Sequence, residues 1–401
     1  MKFSEMKGID NRILRAIEEM DITEPTEIQE KSIPSALDGK DIIGQSMTGS
    51  GKTLAFAIPI IQKIEHGRGI QALVLAPTRE LADQITKHMV KFSRHIKVNI
   101  CEIYGGVSME PQIRNLRYAD VVVGTPGRIL DHMRRGNINY SKLKVLVFDE
   151  ADRMLDMGFI DDIKLIVSQM PKKRQTMMFS ATIPDDLMYI VRNYMETPVR
   201  IRTQAHVSKH KLKQTYYDVK QEYKMSLLIH LIKKEKPGLA IVFCATRGMA
   251  DIAASALSQN GIGAEAIHGG HTQSRRTSIM EGFHAGRVNI LVATDVAARG
   301  LDIKNVTHIF NYDCPKSAED YTHRIGRTAR IGAEGKAITL LSSSDHFAFR
   351  SIVGKHDVEK GAVEKFQIVK FKMPERTRRF GDRSGFGGGS GGRRPGFGRR
   401  R

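Results

Sequence analysis

The stretch Leu143-Lys-Val-Leu-Val-Phe-Asp-Glu-Ala-Asp152 decides how the rest of the chain is read. Val145 to Phe148 are an unbroken apolar run, the pattern of a strand buried on both faces of a parallel sheet. The run stops at Asp149-Glu150, which puts two carboxylates at the strand's carboxyl end. In open α/β sheets that edge is where ligands bind. One acid there can hold Mg²⁺, and its neighbour can orient or deprotonate an attacking water. A buried strand ending in a solvated acidic turn is the competing reading, and the stretch alone does not choose between them.

A second segment upstream does. Ser46-Met-Thr48-Gly49-Ser50-Gly51-Lys52-Thr53 follows a short apolar strand around Ile42-Ile43 and opens an apolar helix. Gly49 and Gly51 let the backbone curl with its N–H groups inward, an anion nest. The helix N-terminus adds partial positive charge. Lys52 would reach the β- and γ-phosphates, and the Thr53 hydroxyl would join Asp149 on Mg²⁺. With strand before, helix after and acids downstream, the spacing predicts a nucleoside-triphosphate site.

Composition bounds the rest. The chain has 401 residues, 41% hydrophobic and 27% charged, enough for two domains with sizeable cores. No apolar stretch approaches a bilayer span, and the first residues are no signal peptide. Cys101, Cys244 and Cys314 lie far apart and read as small buried residues in a reducing cytoplasm, not ligands or bridges. The formal charge is +19, of which Arg376 to Arg401 contribute +8. Such a balance points to a polyanionic partner, nucleic acid before an anionic membrane.

Along the first half, Asp10 is placed to cap a helix over Asn11–Met20, and Thr26 a second one that carries Gln29 in its first turn. A Gln amide can match the edge of adenine, although a surface Gln is the commoner case. The strands Gln71–Ala76 and Ala119–Gly124 end in Pro77-Thr-Arg79-Glu-Leu-Ala and Thr125-Pro-Gly127-Arg128, with Gly105-Gly106 between them. Hydroxyls, amides and guanidinium groups on one sheet edge suit a nucleic-acid backbone. A strand at Thr176–Phe179 ends in Ser180-Ala-Thr182. These hydroxyls either couple the acidic pair to neighbouring elements or cap the next helix.

This half resembles the first RecA-like domain of the DEAD-box ATP-dependent RNA helicases. The likeness rests on Pro25-Thr26 with Gln29, TGSGKT, PTRELA, Gly105-Gly106, TPGR, DEAD and Ser180-Ala181-Thr182, in that order. Phe3 stands where the family has an isolated upstream aromatic. Ser46 replaces the family's usual Gly or Ala, and Asp21-Ile22 its Gly-aromatic pair, so Ile22 covers adenine by dispersion without stacking.

From Glu196 to Leu212 the helical pattern is lost after an edge strand at Val199–Arg202, and residues 204–213 read as an interdomain linker. A second α/β series follows, with strands at Gln214–Val219, Leu239–Phe243 and Asn289–Ala293 and a helix over Lys224–Lys234. It shows no phosphate loop and no second acidic strand end; its chemistry is basic. Phe243-Cys-Ala-Thr-Arg247, His268-Gly-Gly270, Gln273–Arg276, ATDVAARGLD (293–302) and HRIGRTAR (323–330) resemble the family's second RecA-like domain. The likeness implies that Arg327 and Arg330 are arginine fingers and that Asp302 and Arg299 lie near ribose and phosphates. It assigns Thr294, Gly270 and Arg247 to RNA. Ala329 replaces a usual Gly, and His271 has no assigned role.

The expected fold is therefore α/β: two tandem RecA-like domains (1–203 and 214–372), each a mostly parallel sheet flanked by helices, then a disordered Arg/Gly-rich tail (373–401) suited to RNA. The resemblance implies an RNA-dependent, cytoplasmic ATPase that uses ATP and Mg²⁺. In it Glu150 activates water, Lys52, Asp149, Arg327 and Arg330 complete the catalytic set, and Ser46, Thr48, Gly49, Ser50, Gly51, Thr53, Ile22, Gln29, Arg299 and Asp302 hold the nucleotide. Pro77, Arg79, Gly105, Gly106, Thr125, Gly127, Arg128, Arg247, Gly270 and Thr294 face RNA, with Ser180 and Thr182 as couplers. Partners would be single-stranded or short duplex RNA read without sequence preference, and ribosomal or other ribonucleoprotein complexes, with no membrane. Rival readings are an ATP-gated RNA clamp or annealer, a DNA motor, and an RNA-binding protein with a vestigial nucleotide site.

Overall fold

The computed structural model describes residues 2–46, 49–203, 212–298, 303, 306–328 and 334–372. The apolar runs form two sheets of seven strands each. The first contains β1 (Ile42–Gln45), β2 (Ala72–Leu75), β3 (Ile100–Ile103), β4 (Val121–Gly124), β5 (Val145–Asp149), β6 (Gln175–Ser180) and β7 (Val199–Arg202), in the order β3-β4-β2-β5-β6-β1-β7. The second contains β8 (Leu212–Asp218), β9 (Leu239–Cys244), β10 (Ala264–Ile267), β11 (Ile290–Thr294), β12 (Val306–Asn311), β13 (Gly335–Leu341) and β14 (Glu359–Lys360). Its order is β10-β11-β9-β12-β13-β8-β14. Every pairing among the described strands is parallel. Parallel strands need crossovers, and helices supply them, covering both sheet faces.

The burial alternates as a two-sided sheet requires. In β5, Val145 and Val147 join one core with Phe56 and Phe179, while Leu146 and Phe148 join the opposite core with Met154 and Ile166. In β9, Ile241 and Phe243 face one side, and Ala240, Val242 and Cys244 the other. The crossover helix Lys52–Lys63 is buried almost throughout, so its direction, and with it the loop at its N-terminus, is set by packing.

Register brings the chemistry to one edge. Gln45 pairs with Ser180 and Asp149 with Phe179, and Ser46 N–H donates to Ser180 O at 3.0 Å. The ends of β1, β5 and β6 thus lie side by side.

Several expectations are met and some shift. Asp10 caps its helix through Arg12 N–H at 2.8 Å, the edge strand is β7, and the helix of the second half runs Lys224–Glu235. Phe3, the isolated upstream aromatic, sits in the first core at 4% exposure. Of the expected linker, residues 204–211 lie outside the described residues, and β8 begins at Leu212, which pairs with Gly335. Residues 361–372 lie against the second domain, where Phe366, Val369 and Phe371 pack and Val369 N–H donates to Ser226 Oγ at 3.0 Å. The tail, 373–401, lies outside the described residues. No helix among the described residues is long and apolar enough to cross a membrane.

Candidate active site

The phosphate-loop candidate leaves β1 at Ser46. Gly49 and Gly51 have φ of 84° and 87°, the left-handed region that glycine enters without a Cβ penalty. At Gly51 a Cβ would also collide with the Gln29 amide. That contact is functional scaffolding: Gln29 Nε2 donates to Gly51 O at 2.8 Å, its Oε1 accepts from Thr26 N–H at 2.8 Å, and Thr26 Oγ1 donates to Ser50 O at 2.7 Å. Gln29 is buried (4% exposed), so it is not a surface residue. It fastens its helix to the loop, a role that local sequence did not signal. One donor and one lone pair of the amide remain for another partner.

Ser46 Oγ lies 2.9 Å from Ser50 Oγ, a bond across the loop that the usual Gly or Ala could not make. Lys52 is buried and donates to Ser46 O at 3.2 Å. Thr53 is half-buried on the first turn of the helix. Ile22 packs part of its side chain on the first core. Asp21, where the family usually has Gly, has φ of 57°, so the departure keeps a backbone shape that favours glycine. Thr48 lies outside the described residues, as do Arg299, Asp302 and Arg330.

At the end of β5 each acid has a separate partner. Asp149 is 3% exposed, and its Oδ1 accepts from Glu150 N–H at 3.0 Å. Burial pushes its carboxyl up to about 6, although the Lys52 ammonium beside it acts in the opposite direction. Glu150 has φ of 51°, a conformation costly for a non-glycine residue and common where a side chain must be aimed. Its Oε2 accepts from Arg153 Nη1 at 2.7 Å, with both side chains almost fully buried. Asp152 Oδ2 accepts from Ala181 N–H (3.1 Å), Thr182 N–H (2.8 Å) and Thr182 Oγ1 (3.1 Å), while Ser180 Oγ accepts from Asp152 N–H at 3.1 Å. These bonds favour the coupling reading of Ser180 and Thr182 over the capping one. They tie the acidic segment to β6, and the helix Asp185–Tyr194 has Pro184 before it with no side-chain cap. The hard oxygens of Asp149 and Thr53 suit Mg²⁺ better than a softer metal.

The second domain supplies Arg327, 3% exposed, in the turn after the helix Ala318–Ile325. It lines a small cleft with Arg153 of the first domain and Phe243, Asp295, His323 and Arg324 of its own. Contrary to expectation, this sheet does have acidic strand ends. Asp295 follows β11 and Asp313 follows β12. Arg324 offsets the first with two bonds to Asp295 (2.6 and 2.7 Å) and also donates to Asn311 Oδ1 and Asp313 O. The Arg324–Asp295 pairing escapes periodicity because the two residues are 29 apart in the chain.

The backbone-facing candidates fall into two groups. In the first domain Arg79 and Arg128 flank Gly105-Gly106; a Cβ at Gly106 would collide with the Arg79 guanidinium, and Arg128 Nη2 donates to Val107 O at 3.3 Å. Burial and the neighbouring Arg276 and Arg128 lower the Arg79 pKa. Gly127 is exposed in the same region of chain, whereas Pro77 and Thr125 are buried and can offer only backbone or turn shape. In the second domain Thr294 ends β11, Arg247 and Gly270 follow its neighbours β9 and β10, and Arg247 lies against Gly269 and Gly270. Arg276 Nη1 meets Glu80 Oε1 at 2.8 Å, an ion pair between the halves that sequence reading did not anticipate.

Two parallel α/β domains, one with a phosphate loop and acidic strand end and the other with arginines, define the RecA-like class of nucleotide-driven proteins. The match is specific: the DEAD/DEAH box helicase family covers residues 26–190 and the helicase conserved C-terminal domain 223–332. The chain belongs to the DEAD-box family of ATP-dependent RNA helicases. It is 47% identical over 343 residues to the ATP-dependent RNA helicase CshA of Listeria monocytogenes, covering 85% of this chain and 66% of that protein. To CshA of Geobacillus kaustophilus it is 44% identical over 366 residues, covering 90% and 77%. The chain thus spans about two thirds to three quarters of these relatives' length. Among solved structures it is similar to S. cerevisiae Dbp5 bound to RNA and ADP BeF3 (31% identical, TM-score 0.80, covering 88% and 94%). It is also similar to a DEAD box protein from Methanococcus jannaschii (38% identical, TM-score 0.54, covering 90% and 99%). The more identical protein superposes less well over a similar share of the chain.

Proposed function

We propose that this protein is an RNA-dependent ATPase that closes its two domains on an RNA backbone to separate short duplexes or remodel RNA–protein complexes. The observation that carries the reading is the meeting of three elements: the Lys52 loop, the Asp149-Glu150 strand end, and the cleft where Arg327 faces Arg153 across the domains. The similarity to RNA-bound Dbp5 over most of the chain supports it.

In this reading Gln29 and Ile22 hold the adenine, and the loop from Ser46 through Gly49, Ser50, Gly51, Lys52 and Thr53 holds the phosphates. Mg²⁺, held by Thr53 and Asp149, would screen the negative charge of the phosphates. Glu150 orients the attacking water and receives its proton. Arg153 restrains the Glu150 carboxylate by pairing with it. That suits phosphoryl transfer, where positioning matters more than base strength. Arg327, with Arg330, stabilises charge on the transferring group only when the halves are together. RNA lies on Arg79, Arg128 and the 105–106 turn of one domain and on Arg247, Gly270 and Thr294 of the other. Contacts to phosphate and sugar fix position without reading sequence. ATP and RNA each favour the closed form, so each raises the other's affinity.

The test is ATP turnover with and without a short RNA duplex, scored together with strand release. RNA should stimulate turnover and ATP should drive release. Glu150→Gln should abolish turnover yet retain ATP-dependent RNA binding. Arg327→Ala should lower kcat by about 10³-fold or more if it acts as an arginine finger. Stimulated turnover without strand release would favour the clamp or annealer. Turnover indifferent to RNA, or equal stimulation by DNA, would overturn the reading.

A further inference from the structure

After β10 the chain turns through His268-Gly269-Gly270-His271 before the helix Gln273–His284. His271 N–H donates to His268 O at 3.2 Å, closing the turn and bringing the two imidazoles together with ring centroids 3.9 Å apart. Asp251, on the helix Arg247–Gln259, faces both. Its Oδ1 lies 2.9 Å from His268 Nε2 and 3.9 Å from His271 Nε2. One donor atom from each residue lies within 4.8 Å of the other two. A tetrahedral ion with ligands at about 2.0–2.1 Å separates those ligands by roughly 3.3–3.5 Å, so side-chain shifts of about an ångström suffice.

Hydrogen bonding within the protein accounts for only part of this cluster. His268 is satisfied by Asp251 and by Gly270 N–H, which donates to its Nδ1 at 3.1 Å. His271 is not: its Nδ1 is buried with no hydrogen-bond partner among the described residues, and its Nε2 stands beyond hydrogen-bond reach of Asp251. Burial, the adjacent His268 and the charges of Arg275 and Arg276 lower the His271 pKa against the opposing pull of Asp251, which favours the neutral ring that a metal ion binds.

We propose that Asp251, His268 and His271 form a binding site for a divalent transition-metal ion of the zinc class. Two imidazoles and a carboxylate suit Zn²⁺, Co²⁺ or Ni²⁺ and not Mg²⁺. Three protein ligands leave a position for water or an anionic oxygen. The ion replaces the proton that His268 shares with Asp251. That proton moves to Nδ1, and Gly270 N–H turns away from it. Arg247 lies against the same turn, so the ion adds positive charge beside a residue assigned above to RNA. The site itself does not depend on that assignment.

The test uses full-length protein stripped by a chelator and titrated, without RNA or ATP, with Co²⁺ followed by its d–d absorption and with Zn²⁺ in competition with a chromophoric chelator. One equivalent should bind, and Zn²⁺ should raise Tm. His271→Ala and Asp251→Asn should each weaken binding by about tenfold or more and abolish the Tm shift. His230→Gln, elsewhere in the domain, should bind as the parent does. Thermal melts of the metal-free variants establish that they are folded. Absence of a stoichiometric ion, or an ion bound equally well by His271→Ala and Asp251→Asn, would overturn the proposal.

Discussion

Asp149 shows how a single buried acid trades stability for chemistry. Its folded pKa, about 6, lies above the ordinary 3.8, so the folded protein holds the proton more tightly than the unfolded chain. Its ionised form therefore costs stability. That cost is full above about pH 6 and disappears as pH falls toward 3.8. Asp149→Asn should accordingly be more stable than the parent near neutral pH, by on the order of 2–3 kcal/mol, while losing ATP turnover. Denaturant unfolding at several pH values checks this. The advantage should shrink steadily between pH 6 and pH 4, and a constant difference would remove burial as its cause. Asp149 was legible as a site residue from the strand that it ends. Its burial against Lys52 was not, because that depends on a loop nearly a hundred residues earlier. Arg153 passed unnoticed for a similar reason: three residues from Glu150 in a helix looks like an ordinary surface pair, yet here the pair is buried.

Among the elements, β5, β6 and the turn after each behave as one unit held by Asp152. Its carboxylate accepts three hydrogen bonds from Ala181 and Thr182, all in a region with little water access. Removing a buried acceptor leaves its donors unsatisfied. Asp152→Ala should therefore lower the unfolding free energy by about 2–4 kcal/mol, and amide exchange at Ala181 and Thr182 should rise before that of β6 itself. Unchanged protection at those two amides would mean that water replaces the carboxylate. The strands were readable because fully buried parallel strands leave continuous apolar runs. Which of them lie side by side was not, since β1 pairs with β6 and β7 rather than with its neighbour in sequence.

For the molecule as a whole, charge and domain contact are the relevant quantities. The two halves meet through Arg276 and Glu80 and around the cleft lined by Arg153 and Arg327. The C-terminal stretch from Arg376 to Arg401 adds nine arginines interleaved with Phe380, Phe386 and Phe397. Arginines meet phosphates, and arginine planes and aromatic rings stack on unpaired bases. Each phosphate neutralised on a single strand contributes about −0.7 to the slope of log K against log salt. Deleting 376–401 should flatten that slope by several units and weaken RNA binding at low salt, with ATP turnover at saturating RNA little changed. A salt titration of both proteins on one RNA measures it; superimposable slopes would mean that the tail does not touch RNA.

By itself the sequence determined what depends on neighbours in the chain: apolar runs as strands, Gly49 and Gly51 as the curl of a phosphate loop, Asp10 as a helix cap, the unequal charge of body and tail. These follow from local sterics and from the period of burial, which a short window contains. Only the tertiary structure decided what depends on strand order and helix packing. It turned Gln29 into the strap of the phosphate loop, made Asp152 the link between β5 and β6, set Arg324 against Asp295 at the end of β11, and set two histidines against Asp251. Each of these joins side chains from elements that meet only after the sheets assemble. Hydrogen bonds and ion pairs reach only about 3 Å, whereas periodicity reports no more than which face of an element is buried.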